Sequence, residues 1–154
     1  RPGRPVEKYG PVSKPANDPE MRTVVVEREI AFPAEKLWRA LTQPHLIEEW
    51  LMKTDFKPVP GHKFKLSRTP KPEVSVVVDC EVLNVEENKT LSYTWDAFGL
   101  ESVVTFTLTP TPNGTRLRVE QAGFGPDQKA AYKGARASWP HFLAALEELL
   151  KRTD

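Results

Sequence analysis

Three histidines, one cysteine and four carboxylates on strand-like segments are the residues from which chemistry would most simply be built in this chain. Catalytic zinc needs three convergent ligands and an open position. His45, His62 and His141 are spread over the chain, as a helix-start residue, a strand residue and a residue of the last helix. No metal is expected. Cys80 falls in phase with Val76, Val78 and Val82, which makes it a small buried hydrophobe. A reactive thiol would need a depressed pKa, and no base stands beside it in the sequence. The Gly-x-Ser-x-Gly elbow of serine hydrolases is missing. A carboxylate in an apolar pocket would be held protonated and could act as acid or base, which makes Asp79, Glu81, Asp96 and Glu101 candidates. Alternation, however, puts Asp79 and Glu81 on the face opposite Cys80. No catalytic residue and no cofactor follow from these residues. Lys63, Lys65, Arg68 and Lys71 cluster around Phe64 without a base-stacking motif and read as a solvated strand face, not a nucleic-acid surface.

The aromatic set says more. Thr23 to Ile30 is rich in β-branched residues and predicts a strand. Pro33 then precedes a short helix with Leu37, Trp38 and Leu41 on one face. Pro44 opens a second, with Leu46, Ile47, Trp50 and Leu51 as its apolar stripe. Five strand-like stretches follow, over 56–68, 73–86, 90–96, 102–109 and 115–122. Pro58, Pro60 and Gly61 mark the first of them as an edge or a bend. Leu91, Tyr93 and Trp95 share one face, as do Val104, Phe106 and Leu108, and as do Leu117, Val119 and Gln121. Such alternation predicts an antiparallel sheet with one dry and one wet face. A long amphipathic helix closes the chain, from Pro126 or Asp127 to about Arg152, with Pro140 kinking or breaking it. Its stripe of Tyr132, Trp139, Phe142, Leu143, Leu146, Leu149 and Leu150 has only the dry face of the sheet to cover.

The fold class expected is therefore α+β, one domain over 22–154. Residues 1–21 stand apart as an arm, because their five prolines exclude helix and central strand. The 154 residues carry a net charge of +1, so no strong field draws the molecule to nucleic acid or an anionic membrane. One cysteine excludes an intramolecular disulfide. Without an apolar run of about 18 residues or a signal-peptide stretch, stable membrane insertion is not expected and a cytoplasmic location is.

The segments VEREIAFPAEKLWRALTQPHLIEEW at 26–50, GHKF at 61–64, CEVLNVEENKTLSYTW at 80–95 and SWPHFLAAL at 138–146 resemble the START-like, or SRPBCC, helix-grip superfamily. The branch they resemble is that of the heat-shock-protein ATPase activator homologues, a stress-response family. The resemblance implies a curved sheet of about six strands wrapped around the C-terminal helix, with two short helices after the first strand and a hydrophobic cavity between sheet and helix. Members of the superfamily bind lipids, sterols or polyketides, act as cyclases, or bind chaperones. The first expectation is thus binding of a small hydrophobic or amphipathic ligand by Phe64, Val78, Cys80, Tyr93, Trp95, Phe106, Gln121, Trp139 and Phe142. The Tyr93 hydroxyl, Gln121 and His141 would orient it. Two alternatives stand beside it. One is a chaperone or self-association surface near the short helices, in a monomer or homodimer. The other is a cyclase or hydratase using a carboxylate inside the cavity.

Overall fold

A computed structural model describes residues 21–153. The expected arm therefore lies, except for Met21, outside the described residues. The β-branched run forms strand β1 (Arg22–Ile30), and Pro33 leads into helix α1 (Ala34–Thr42), which buries Leu37, Trp38 and Leu41. Gln43 separates it from α2 (Pro44–Trp50), where Pro44 takes a first-turn position that needs no N–H. The two short helices are fastened together by the Trp50 indole, which donates to the Ala40 carbonyl at 2.8 Å. Neither presents an apolar patch to solvent: Ile47, Trp50 and Leu51 are buried and Leu46 half-buried.

Strands β2 (Lys53–Thr54), β3 (Lys63–Lys71), β4 (Val74–Glu86), β5 (Thr90–Ala97), β6 (Leu100–Thr111) and β7 (Gly114–Phe124) complete one curved antiparallel sheet in the order β1-β7-β6-β5-β4-β3-β2. Among the described residues it has seven strands, not about six. Pro58 and Pro60 offer no N–H to a ladder, so 56–62 cannot extend β3. The chain instead forms the two-residue β2 ahead of the prolines, opposite Leu66 and Ser67. Asp55 holds the bend by accepting the Lys65 backbone N–H at 3.0 Å, with His62 3.1 Å from the Asp55 carbonyl. Across the sheet the alternation holds: Val78, Cys80 and Val82, Leu91, Tyr93 and Trp95, and Leu117, Val119 and Gln121 all turn inward.

One irregularity reshapes the inner face. Opposite β1, the register steps from Ala122 to Phe124, leaving Gly123 as an extra residue at φ +125°. A Cβ there would lie 2.7 Å from the Glu101 carbonyl oxygen, so only glycine fits. The bulge turns Phe124 onto the same inner face as Gln121, which strict alternation would forbid.

Helix α3 (Lys129–Lys151) lies across the inner face and packs on β1, β7, α1 and α2. It starts at Lys129 and not at Pro126 or Asp127, because 125–128 closes as a turn in which the Gln128 N–H bonds the Gly125 carbonyl at 3.0 Å. Pro140 does not break it. That ring sits on the solvent side, where loss of one backbone bond is answered by water. Leu143, Leu146, Leu149 and Leu150 are fully buried, and Glu147 accepts from Arg28 of β1 at 2.8 Å. No helix among the described residues is long and apolar enough to cross a membrane.

A candidate ligand cleft between sheet and helix

The first half of α3 does not close on the sheet. A cleft of about 280 Å³ remains between them, half open to solvent. Its helix wall is Ala131, Gly134, Ala135, Ser138, Trp139 and Phe142, residues that recur at three- and four-residue spacing and so share one face. Its sheet wall comes from Arg68, Val76, Val78, Trp95, Gln121 and Phe124. Met52, Ala97, Phe98 and Leu100 finish the rim.

Of the nine residues expected to hold a ligand, five line this cleft: Val78, Trp95, Gln121, Trp139 and Phe142. Phe64, Cys80, Tyr93 and Phe106 do not. Phe64 stacks edge-on against Phe56 and Tyr93 at 5.0 and 5.1 Å, and Phe106 packs on Tyr93 and Trp139 at 5.9 Å each. These rings fill the core beside the cleft. Alternation placed them on the correct face, but depth along a strand is set by the helix that covers it.

Of the three polar groups expected to orient a ligand, Gln121 alone lines the cleft, and it is already engaged. The Trp139 indole N–H donates to Gln121 Oε1 at 2.8 Å, Gln121 Nε2 donates to Ser102 Oγ at 3.0 Å, and Ser102 Oγ donates to the Trp95 carbonyl at 2.7 Å. This buried chain fixes the Trp139 indole and ends on the Trp95 backbone carbonyl, and the two rings pack 5.6 Å apart. The Tyr93 hydroxyl is buried away from the lining, and burial holds its pKa well above the usual phenol value. His141 is exposed on the outer side of α3 and orients nothing in the cleft.

Among the described residues no cysteine, histidine or carboxylate lines the cleft. Burial, followed by the charges of Asp96 and Asp79, pushes the Cys80 thiol up and keeps it protonated, so a cavity thiol nucleophile is not what the site provides. Asp79, Asp96 and Glu101 sit on the outer face with Val77 and Phe98, around a separate shallow groove. Among the described residues no carboxylate lines the cleft, and Asp79, Asp96 and Glu101 stand outside it. Among the described residues no three His, Cys, Asp or Glu side chains converge as metal ligands.

Two features were missed in the sequence. The β5–β6 turn places Phe98 at φ +52° and Gly99 at φ +82°, a backbone that Asn-Gly usually supplies. A phenylalanine there costs roughly 1–2 kcal/mol, and its ring is 85% exposed at the cleft rim. Gln128 ties this turn to the start of α3, accepting from the Gly125 N–H at 2.8 Å and donating to the Gly99 carbonyl at 3.3 Å. Arg68 is the second. Grouped by sequence with Lys63 and Lys65, it is in phase with Phe64 and Leu66 and faces the cleft.

Similarity to known proteins agrees with this architecture. The structure of protein MLL2253 from Mesorhizobium loti is 65% identical, covering 86% of this chain and 99% of that one, with a TM-score of 0.81. Protein NE0264 from Nitrosomonas europaea is 25% identical over 88% of this chain and 97% of its own, TM-score 0.76. DynU16, a protein of the dynemicin biosynthetic locus, shares the fold at 23% identity and TM-score 0.73, over 84% of this chain and 47% of that one. No curated protein matches. The family model described as Activator of Hsp90 ATPase homolog 1-like protein matches residues 31–151. With that match spanning most of the sheet and all of α3, and a close relative of the same fold, the chain belongs to the Activator of Hsp90 ATPase homolog 1-like family.

Proposed function

We propose that this domain binds a small hydrophobic or amphipathic molecule in the cleft between the sheet and the first half of α3. One observation carries the reading: an interface packed solid at one end keeps about 280 Å³ unfilled at the other, beside Trp95 and a Trp139 indole held by a hydrogen bond. Protein interiors close voids where side chains permit. Here a run of Ala, Gly and Ser keeps the space open while Trp95, Trp139, Phe124 and Phe142 supply aromatic walls. A cavity of about 150 Å³ admits benzene, so this one suits a body of about two rings. Burying some 300 Å² of ligand would be worth several kcal/mol at about 25 cal/mol per Å², before ordering costs.

The test is a titration with 2-naphthamide, a neutral two-ring probe, followed by tryptophan fluorescence and calorimetry. Saturable binding is expected, together with loss of at least tenfold in affinity in Ala135→Leu, whose side chain would occupy the cleft. A wild-type protein that shows no saturable signal, or an Ala135→Leu variant that binds as well as wild type, would overturn the proposal.

A further inference from the structure

We infer that the natural occupant of the cleft is a small organic anion, and that Arg68 meets its charged end. The inference rests on the cleft holding a ligand at all. Among the described residues that line it, Arg68 is the one ionisable side chain. Its orientation follows from strand phase. On β3 Lys63 and Lys65 turn outward, and Lys65 pairs with Asp79, whereas Phe64, Leu66 and Arg68 turn inward. Opposite Arg68 in the register stands Val76, itself part of the cleft wall.

Three facts make that guanidinium available. The Arg68 side chain has no ion pair or hydrogen bond among the described residues, although seven other ion pairs form there. The carboxylates at this end of the sheet, Asp79, Asp96 and Glu101, are all on the outer face and do not line the cleft. Gln121 and Trp139 satisfy each other, so they leave an incoming polar group little to bond. Two nearby charges have the same sign: Arg22 of β1 and Arg136 of α3 lie 5.6 and 5.7 Å over the Tyr132 ring, which packs against the lining Phe124. A ligand with an apolar body and a cationic head would meet like charge at Arg68. A carboxylate or a comparable anion would gain a planar donor that binds it in two places.

The experiment compares 2-naphthoate, 2-naphthamide and 2-naphthylmethylamine near neutral pH and low salt, three probes alike in body and different in charge. Wild type is expected to prefer naphthoate over the amide by roughly fivefold or more, the range of a partly exposed arginine–carboxylate pair. It is expected to bind the amine weakest. In Arg68→Gln the naphthoate-to-amide ratio should fall to near one, in Arg68→Lys to an intermediate value, and added salt should shrink it in wild type. A wild-type ratio near or below one, or a ratio that Arg68→Gln leaves unchanged, would overturn the inference while the ligand cleft itself stood. If none of the three probes binds, the cleft reading fails and takes this inference with it. Arg68 is exposed on a strand, so the variants should fold, and matching thermal melts check that they do.

Discussion

Along α3 the first half faces the sheet with Ala131, Gly134, Ala135 and Ser138, the second half with Leu143, Leu146, Leu149 and Leu150. One helix thus makes two interfaces of different kind. The leucine half meets β1, α1 and α2 and is solid. The small-residue half stands off the sheet and leaves the cleft. What differs is side-chain volume on the helix, so the cavity is made by omission and the opposite end supplies the stability that permits it. Other local conflicts gather at the open end too. Phe98 sits in left-handed backbone there, and Asp79, Asp96 and Glu101 face one another across neighbouring strands. Such departures from the best local choice are tolerated where function asks for them.

The contrast can be broken most forcefully at the packed end. Leu146→Ala should lower unfolding stability by about 2–5 kcal/mol, read from the urea midpoint, because a fully buried side chain leaves a cavity its neighbours cannot fill. A loss below about 1 kcal/mol would mean that the leucine half is not the anchor. At the cleft end the sign should reverse. Gly134 lies inside α3, and a Cβ built on it meets nothing within 4 Å. Gly134→Ala should therefore stabilise by about 0.5–1 kcal/mol through helix propensity alone. A destabilised variant would show hidden packing against Gly134.

The smallest effect concerns charge. Burial first, then the Glu101 and Asp79 carboxylates, raise the Asp96 pKa. A raised folded value means that the native state holds the proton more tightly than the unfolded chain does. Stability from this group is therefore present below the unfolded value of 3.8 and is lost as pH rises through the folded one. Asp96→Asn should gain roughly 0.5 kcal/mol or less near neutral pH and nothing below 3.8. Equal gains at both ends of a pH series of urea melts would show that charge is not the cause.

The sheet was legible because alternation reports which face a side chain takes, and Trp95, Gln121 and Val78 were placed from it. The helix was legible from its leucines. What resisted reading were properties that alternation does not encode. Phe124 enters the cleft through a bulge at Gly123, a one-residue slip visible only once β1 is paired. Arg68 was grouped with its charged neighbours, although phase with Phe64 and Leu66 already set it on the other face. Phe64, Tyr93 and Phe106 share the face of the cleft without bordering it, since depth depends on where a distant helix lies. The second strand, two residues long, is below what any pattern can register.

The pairing of β1 with β7 bears on how the molecule comes into being. Among the described residues β1 is an edge strand paired with β7, the last strand in the chain, with Arg22 opposite Phe124. On the ribosome, at about 5–20 residues per second, β1 would emerge several seconds before the hairpin that accepts it. Through that interval Val24, Val25 and Val26 have no ladder to join. The alternating charges Glu27, Arg28 and Glu29 directly after them interrupt the apolar run and guard the nascent strand against premature association with other chains.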